Sequence, residues 1–262
     1  MSYQYVIYEK KGHIAYVTIN RPEVMNALHY AANVELDEIF TDFKQDDEMW
    51  VAIVTGAGNR AFSAGNDLKA TAAATARGES FMGQKPVPFG GITTGFDCPK
   101  PLIAAVNGVA MGGGFEIALA CDLIVAAESA RFALPEPRVG LLAAAGGVHR
   151  LPQQIPLKQA MGMLLTGRQV SAMEAYSMGL VNEVVPGEHL LATAERWANQ
   201  ILECSPLSVR LTKEAVYSGL PHSLEEAMQN DRPLLQRLFS SEDFVEGPKA
   251  FAEKRKPEWT GR

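Results

Sequence analysis

The first fifty residues change pattern three times. YVIYEKKGHIAYVTIN clusters β-branched and aromatic residues on either side of Lys11-Gly12, which predicts a hairpin ended by Arg21-Pro22. From about Ala31 to Phe43, Leu36, Ile39, Phe40 and Phe43 recur at helical spacing and share one face. Trp50 to Thr55 (WVAIVT) is a short continuous apolar run, a buried strand closed by Gly56-Ala57-Gly58. Pro101 introduces a second such strand, LIAAV. Three glycines and a helix over Phe115 to Cys121 follow, and then a third strand, DLIVAA at 122–127. Residues 70–95 are rich in Ala, Thr and Gly without a firm period and read as a mobile segment.

Downstream, helical spacing takes over. Ser171-x-x-Glu174 is a capping box for a short helix that stops at Gly179. LVNEVV makes one more strand before Pro186. Beyond about residue 190 the strands cease. Apolar residues keep helical spacing over Leu191–Ile201, Leu207–Tyr217, Leu224–Phe239 and Phe244–Phe251, and Ser223-x-x-Glu226 caps the third of these. The expected class is α/β: strands mixed with helices first, then helices alone. No repeat and no Gly-, Ser- or Pro-rich linker divides the chain.

Composition narrows the function classes. A length of 262 residues suits one large domain, or a domain with a small appendage. The net charge of −6 argues against a broad nucleic-acid surface, so an anionic ligand needs a local basic cluster. No apolar run reaches the roughly 18 residues of a membrane span. The N-terminus MSYQYVIYEK has no apolar signal core. Cys98, Cys121 and Cys204 are odd in number and scattered. They predict neither a disulfide framework nor a zinc site, and a reducing, cytoplasmic setting.

Two glycine stretches compete as sites. VAIVTGAGNRA matches G-x-G-x-x-A behind a strand. The dinucleotide fingerprint also needs a helix at the glycines, yet FSAGN follows. It needs an acid at the end of a second strand, and Glu79, at the right distance, lies in ATARGES. A plain turn is the better reading. The second stretch is GVAMGGGFEIALACD, with Gly112, Gly113 and Gly114 just ahead of Glu116. Unpaired N–H groups in a helix's first turn, at the positive end of its dipole, stabilise an anion, including one formed only in a transition state. The alternative is a close helix–strand crossing with Glu116 as an exposed first-turn acid. AFSAGNDLK adds a second glycine turn after a strand, and FALPEPRVGLLAAAGG adds a second acid, Glu136. Two backbone nests and two carboxylates are suited to holding an oxyanion and moving protons beside it.

FSAGNDLK, AAVNGVAMGGGFEIALACD, ARFALPEPRVGL and AGGVHRLP, in that order, resemble the enoyl-CoA hydratase/isomerase (crotonase) superfamily. The resemblance runs from VTINRPEVMNAL to FAEKRKPEWTGR and is strongest toward hydratases and carnitinyl-CoA dehydratases. It implies a ββα spiral of two nearly perpendicular sheets over residues 1–195, with a helical C-terminal region over 196–262 that packs subunits into homotrimers or homohexamers. It implies a 2-enoyl-CoA hydratase acting on an acyl-CoA thioester, with no metal and no cofactor beyond the CoA of the substrate. By motif position, the amides of Asn66 and Gly113 hold the thioester oxygen. Ala64 lies by the adenine, and Asp67, Leu68 and Lys69 line the CoA path. Glu116 orients and deprotonates the water, and Glu136 delivers a proton to the α-carbon. Phe251 and Lys254 reach the CoA from the dense basic cluster Lys254-Arg255-Lys256, whose alternative role is to offset the acids of SSEDFVEG. The segment around Phe89 shapes the acyl pocket.

Three features depart from the simple hydratase pattern. Ala144 stands where many members carry a residue such as proline, Asn66 replaces a small residue, and His149 follows Gly147 and reads as structural. The other histidines show no metal spacing. A carnitinyl-CoA dehydratase is the near alternative. A Δ3-Δ2-enoyl-CoA isomerase commonly uses one acid at these places, so the pair Glu116 and Glu136 argues against it. A non-catalytic acyl-CoA-binding protein has no need of either acid.

Overall fold

In the computed structural model, residues 3–78 and 86–262 are described. Glu79 and the rest of 79–85, within the stretch expected to be mobile, lie outside them. The expected hairpin is β1 (Val6–Lys11) against β2 (Ile14–Ile19), antiparallel, with Val6 opposite Ile19. Gly12 turns the chain at φ +56°. Helix α1 (Tyr30–Gln45) buries Leu36, Ile39, Phe40 and Phe43, the face its spacing predicts. The His29 ring caps it, accepting from the Ala32 amide at 3.2 Å.

Three turns of one repeating unit then build the molecule. Each turn runs strand, short strand, helix. The first is β3 (Val51–Gly56), β4 (Ala61–Ser63) and α2 (Leu68–Ala76). The second is β5 (Leu102–Val106), β6 (Val109–Met111) and α3 (Gly113–Ala120). The third is β7 (Leu123–Ala127), β8 (Arg131–Ala133), a 3-10 turn over Glu136–Val139, and α4 (Gly147–Gln154). After α5 (Leu157–Thr166), the chain adds β9 (Val170–Ser171), α6 (Ala172–Ser177) and β10 (Glu183–Val185). The five long strands and the three-residue β10 make a six-stranded sheet, β1-β2-β3-β5-β7-β10, and the other short strands a four-stranded sheet, β4-β6-β8-β9. Within each sheet the spiral strands pair in parallel.

Because successive side chains in a strand face opposite ways, β2, β3, β5 and β7 each feed two cores. Ala52, Val54, Leu102, Ala104 and Val106 join the interior with α1 and α3. Val51, Ile53, Ile103, Ala105 and Val125 face the other way and meet Leu190, Ala194 and Ala198 of α7 (Leu190–Leu202). A sheet covered on both faces reads as continuous apolar runs, as these strands do. Helix α7 runs through the expected boundary at residue 195. Helices α8 (Pro206–Gly219), α9 (Leu224–Asn230), α10 (Arg232–Phe239) and α11 (Glu242–Glu253) follow it.

The Gly56–Ala61 stretch is a turn, as expected: a corner between the two sheets, followed by β4 and not by a helix. Asn26 and Asn107 fasten that corner, donating to the carbonyls of Ala61 (2.7 Å) and Gly58 (2.7 Å). Three expectations change. Helix α2 (Leu68–Ala76) runs into the 70–95 stretch, which shows no firm period and is expected to be mobile. Its cap is Asp67, which accepts from the Ala70 amide at 3.1 Å. Helix α3 begins at Gly113, so two of the three glycines lie inside it. The long helix expected over Leu224–Phe239 breaks at Asp231, where Pro233 cannot donate an amide to a continuing helix. Both capping boxes, Ser171 with Glu174 and Ser223 with Glu226, form. Among the described residues, no helix is long and apolar enough to cross a membrane.

Candidate active site

The glycines of the second spiral turn are fixed by what they touch. Gly112 has φ +52°, a left-handed backbone that glycine adopts without steric cost. Its amide donates to Ala133 of β8 at 2.9 Å, and a methyl there would sit 2.9 Å from Glu136 Oε1. A side chain at Gly113 would run into the Phe89 ring, and one at Gly114 into the Ser63 carbonyl. On the facing turn Gly65 has φ +87°, and a methyl on it would lie 2.7 Å from Met111 O and 2.9 Å from Gly113 N. The SAGN turn therefore packs backbone to backbone on the start of α3. The neighbouring Gly65 carbonyl and Asp67 amide pair with Leu28 at 2.8 and 2.9 Å. Among the described residues, the Asn66 and Gly113 amides donate to no backbone carbonyl outside the helices and strands. As the first residue of α3, Gly113 has no acceptor one turn back within its own helix.

Glu116 is 3% exposed, which excludes the reading of a solvated first-turn acid. Its Oε1 accepts the Gly147 amide at 2.8 Å, from the first turn of α4. Burial pushes its carboxyl up to about 7, and the nearby charge of Glu136 pushes the same way. The Gly147 and Ala145 backbone and the Arg150 guanidinium oppose both. Glu136 opens the 3-10 turn between Pro135 and Pro137, and burial raises its carboxyl too. Its Oε2 is buried and makes no hydrogen bond. A buried carboxylate oxygen without a partner is costly, and it marks where a ligand or water would sit. The spiral thus places two carboxyls and two amide-bearing turns around the N-terminus of α3.

The remaining predicted residues are placed differently. Asp67 is tied up locally, by the cap of α2 and a 3.1 Å ion pair with Arg21. Leu68 and Lys69 are exposed on α2, and the Ala64 amide donates to Met25 at 2.9 Å. Phe251 is exposed near the end of α11, and Lys254 caps that helix at φ +54°. Helix α11 packs on α10 and on the tail, where Asp243 accepts from Thr260 and Gly261 at 2.9 and 3.1 Å. Arg255 of the basic cluster pairs with Glu246 and Glu253 at 2.8 and 2.7 Å. For Arg255, offsetting the acids of SSEDFVEG is therefore the role seen; Lys254 and Lys256 are exposed. His149 is exposed on α4. Among the described residues, no three His, Cys, Asp or Glu side chains group as a metal site would require.

A sequence profile described as enoyl-CoA hydratase/isomerase matches residues 9–262. The chain belongs to the enoyl-CoA hydratase/isomerase family. It is 43% identical over 259 residues to a carnitinyl-CoA dehydratase of Citrobacter koseri, spanning 97% of this chain and 98% of that one. The carnitinyl-CoA dehydratase of Escherichia coli K12 is 43% identical over 257 residues, with 97% of each chain covered. Among solved structures, an enoyl-CoA hydratase from Mycobacterium marinum superposes with a TM-score of 0.91 at 40% identity, covering 98% of this chain and 99% of that chain. The fold is the crotonase α/β spiral, and the protein is a crotonase-superfamily enzyme.

Within that family frame, sequence reasoning found both acids but missed what orients Glu116. Gly147 supplies an amide to it, and Arg150 folds back over the same turn. Both lie in AGGVHRLP, where Gly-Gly ahead of a helix was a visible signal for a second amide donor.

Proposed function

We propose that the chain is a 2-enoyl-CoA hydratase, a hydro-lyase that adds water across the α,β double bond of an acyl-CoA thioester. The observation that carries the reading is a buried acid, Glu116, and a half-buried one, Glu136, whose Oε2 is buried without a partner, beside two backbone turns at the head of α3. In this reading the Asn66 and Gly113 amides hold the thioester oxygen. Water attacks the β-carbon and gives a proton to the Glu116 carboxylate. The alkene electrons move through the α-carbon onto the oxygen, as an enolate. The enolate collapses as the α-carbon takes a proton from the Glu136 carboxyl. Solvent exchange then moves a proton from Glu116 to Glu136 and resets the pair. Loss of one oxyanion donor typically costs about 3–4 kcal/mol, so each amide is a substantial source of rate. Since both donors are backbone, glycine suffices at Gly113 and the side chain of Asn66 is free to vary.

A carnitinyl-CoA dehydratase is the second reading, and the 43% identity with two such enzymes favours it. Its chemistry is the same step run toward water loss. Ala64, Asp67, Leu68 and Lys69 belong to the CoA path in both readings, Asp67 by capping and anchoring α2. Phe251 and Lys254 serve the CoA from α11. A homotrimer or homohexamer in a reducing cytoplasm fits the exposed apolar helices and the free thiols of Cys98, Cys121 and Cys204. A panel of CoA thioesters, with 2-enoyl, 3-enoyl and carnitinyl members, is the test. Loss of the conjugated thioester absorbance with 2-enoyl substrates supports hydration. Turnover of the carnitinyl ester alone supports the second reading, conversion of 3-enoyl esters alone an isomerase, and binding without turnover a non-catalytic protein.

A further inference from the structure

Arg150 sits one turn into α4 with its guanidinium folded back over the glycine turn it follows. Nη1 donates to the Ala145 carbonyl at 3.2 Å, and Nη2 donates to the Thr93 carbonyl at 2.8 Å. The two acceptors belong to separate parts of the site. Ala145 precedes the Gly146-Gly147 turn whose amide holds Glu116 at 2.8 Å. Gly146 lies under the guanidinium at φ +105°, where any side chain would collide with Nη1. Thr93 is fastened to the other part: its hydroxyl donates to the Phe89 carbonyl at 2.8 Å. The Phe89 ring in turn covers Gly113. We infer that Arg150 is a positioning residue that clamps the turn orienting Glu116 to the turn that lays Phe89 over Gly113, so that the proton acceptor and the oxyanion amide keep a fixed relation. The inference rests on the hydratase reading for its catalytic consequence, though not for the clamp itself.

The clamp is also electrostatic. The charged groups acting on Glu116 are Glu136, from the turn after β8, and Arg150, from α4. Arg150 is the cation of the set and favours the ionised acid. His149, the other titratable group on α4, is exposed. On its far side Arg150 lines a second cavity of about 920 Å³, where Asp122 accepts from Lys213 at 2.8 Å and from Tyr217 at 3.0 Å. Those two bonds occupy Asp122, and the carbonyls of Ala145 and Thr93 take the guanidinium. A planar fork matches two carbonyls on different segments; an ammonium supplies charge without that geometry.

The test compares wild type, R150Q and R150K by two readouts. The first is the carboxyl titration of Glu116 by ¹³C NMR in the ligand-free protein, with E116Q assigning the signal. The second is kcat and KM on the best 2-enoyl-CoA. R150Q is expected to raise the Glu116 midpoint by about half a unit or more. R150K is expected to leave it near wild type. Both should lower kcat by about tenfold or more, with little change in KM, because misplacement acts on the reacting geometry. An unmoved midpoint in R150Q, or a wild-type kcat in folded R150K, overturns the inference. If R150Q does not fold, R150K still decides through kcat. If wild type turns over no 2-enoyl-CoA, the hydratase reading fails, and the Glu116 midpoint in R150Q still decides for or against Arg150.

Discussion

Glu116 and Glu136 share one interior but have different partners, and that difference sets their expected behaviour. Glu116 has one oxygen fixed by the Gly147 amide. Glu136 has one oxygen buried with nothing to bond. If each carries a proton in the reaction, E116Q and E136Q should each lower the hydration rate by roughly 10²–10⁴. A wild-type rate in either variant removes that residue from the mechanism. The raised carboxyl of Glu116 also predicts a stability effect. Unfolded, it titrates near 4.5; folded, near 7. Between those values the folded state binds more protons, so stability falls as pH rises through that window and is level above it. E116Q removes this slope. Relative to wild type it should gain on the order of 3 kcal/mol between pH 4.5 and pH 7, read from urea midpoints. A constant difference across the window would mean that Glu116 does not titrate there. At this scale the chain was readable. GGGFE and FALPE named both acids, but the amide at Gly147 carries no side-chain mark.

The elements were readable where they were long or capped. The hairpin, α1 and the long strands carry clear periods, and Ser171/Glu174 and Ser223/Glu226 announce their helices. The short strands of the second sheet have three residues or fewer, too few to show alternation. They form because the spiral lays them beside one another, through pairings far apart in sequence. Helix α2 was obscured because alanine and threonine show no apolar face; none of its residues is buried. Its existence rests on the Asp67 cap. Replacing the cap, D67A, should cost about 1 kcal/mol or somewhat more, since the Arg21 pair is lost with it. A melting temperature equal to wild type would show that α2 does not depend on it. The glycines at the head of α3 obey a stricter rule. In G114A the added methyl meets the Ser63 backbone, which no rotamer change can relieve. We expect a loss of about 1–3 kcal/mol together with loss of activity. An active G114A of wild-type stability would show that the two turns are not in tight contact.

At the scale of the whole molecule, the C-terminal helices leave a broad apolar face uncovered. Leu224 is 76% exposed, Met228 64% and Phe239 57%, and Val216 on α8 and Leu220 just after it are exposed too. In the proposed assembly another chain covers these side chains. In the single chain these residues are not part of the core. Sedimentation at three or six times the chain mass is expected, and sedimentation at the mass of one chain would contradict the assembly. Lys254 belongs to the same scale, because α11 shares no described hydrogen bond with either glutamate. K254A should weaken CoA-ester binding more than it alters turnover. Unchanged binding would leave the cluster only its charge-balancing role.

A structure of the protein with an unreactive acyl-CoA thioester tests the central claim most directly. The account predicts the thioester oxygen about 2.7–3.1 Å from both the Asn66 and Gly113 amides, with the carboxyls of Glu116 and Glu136 flanking the α- and β-carbons. An oxygen bonded to neither amide, or an acyl chain seated away from the two glutamates, would contradict it.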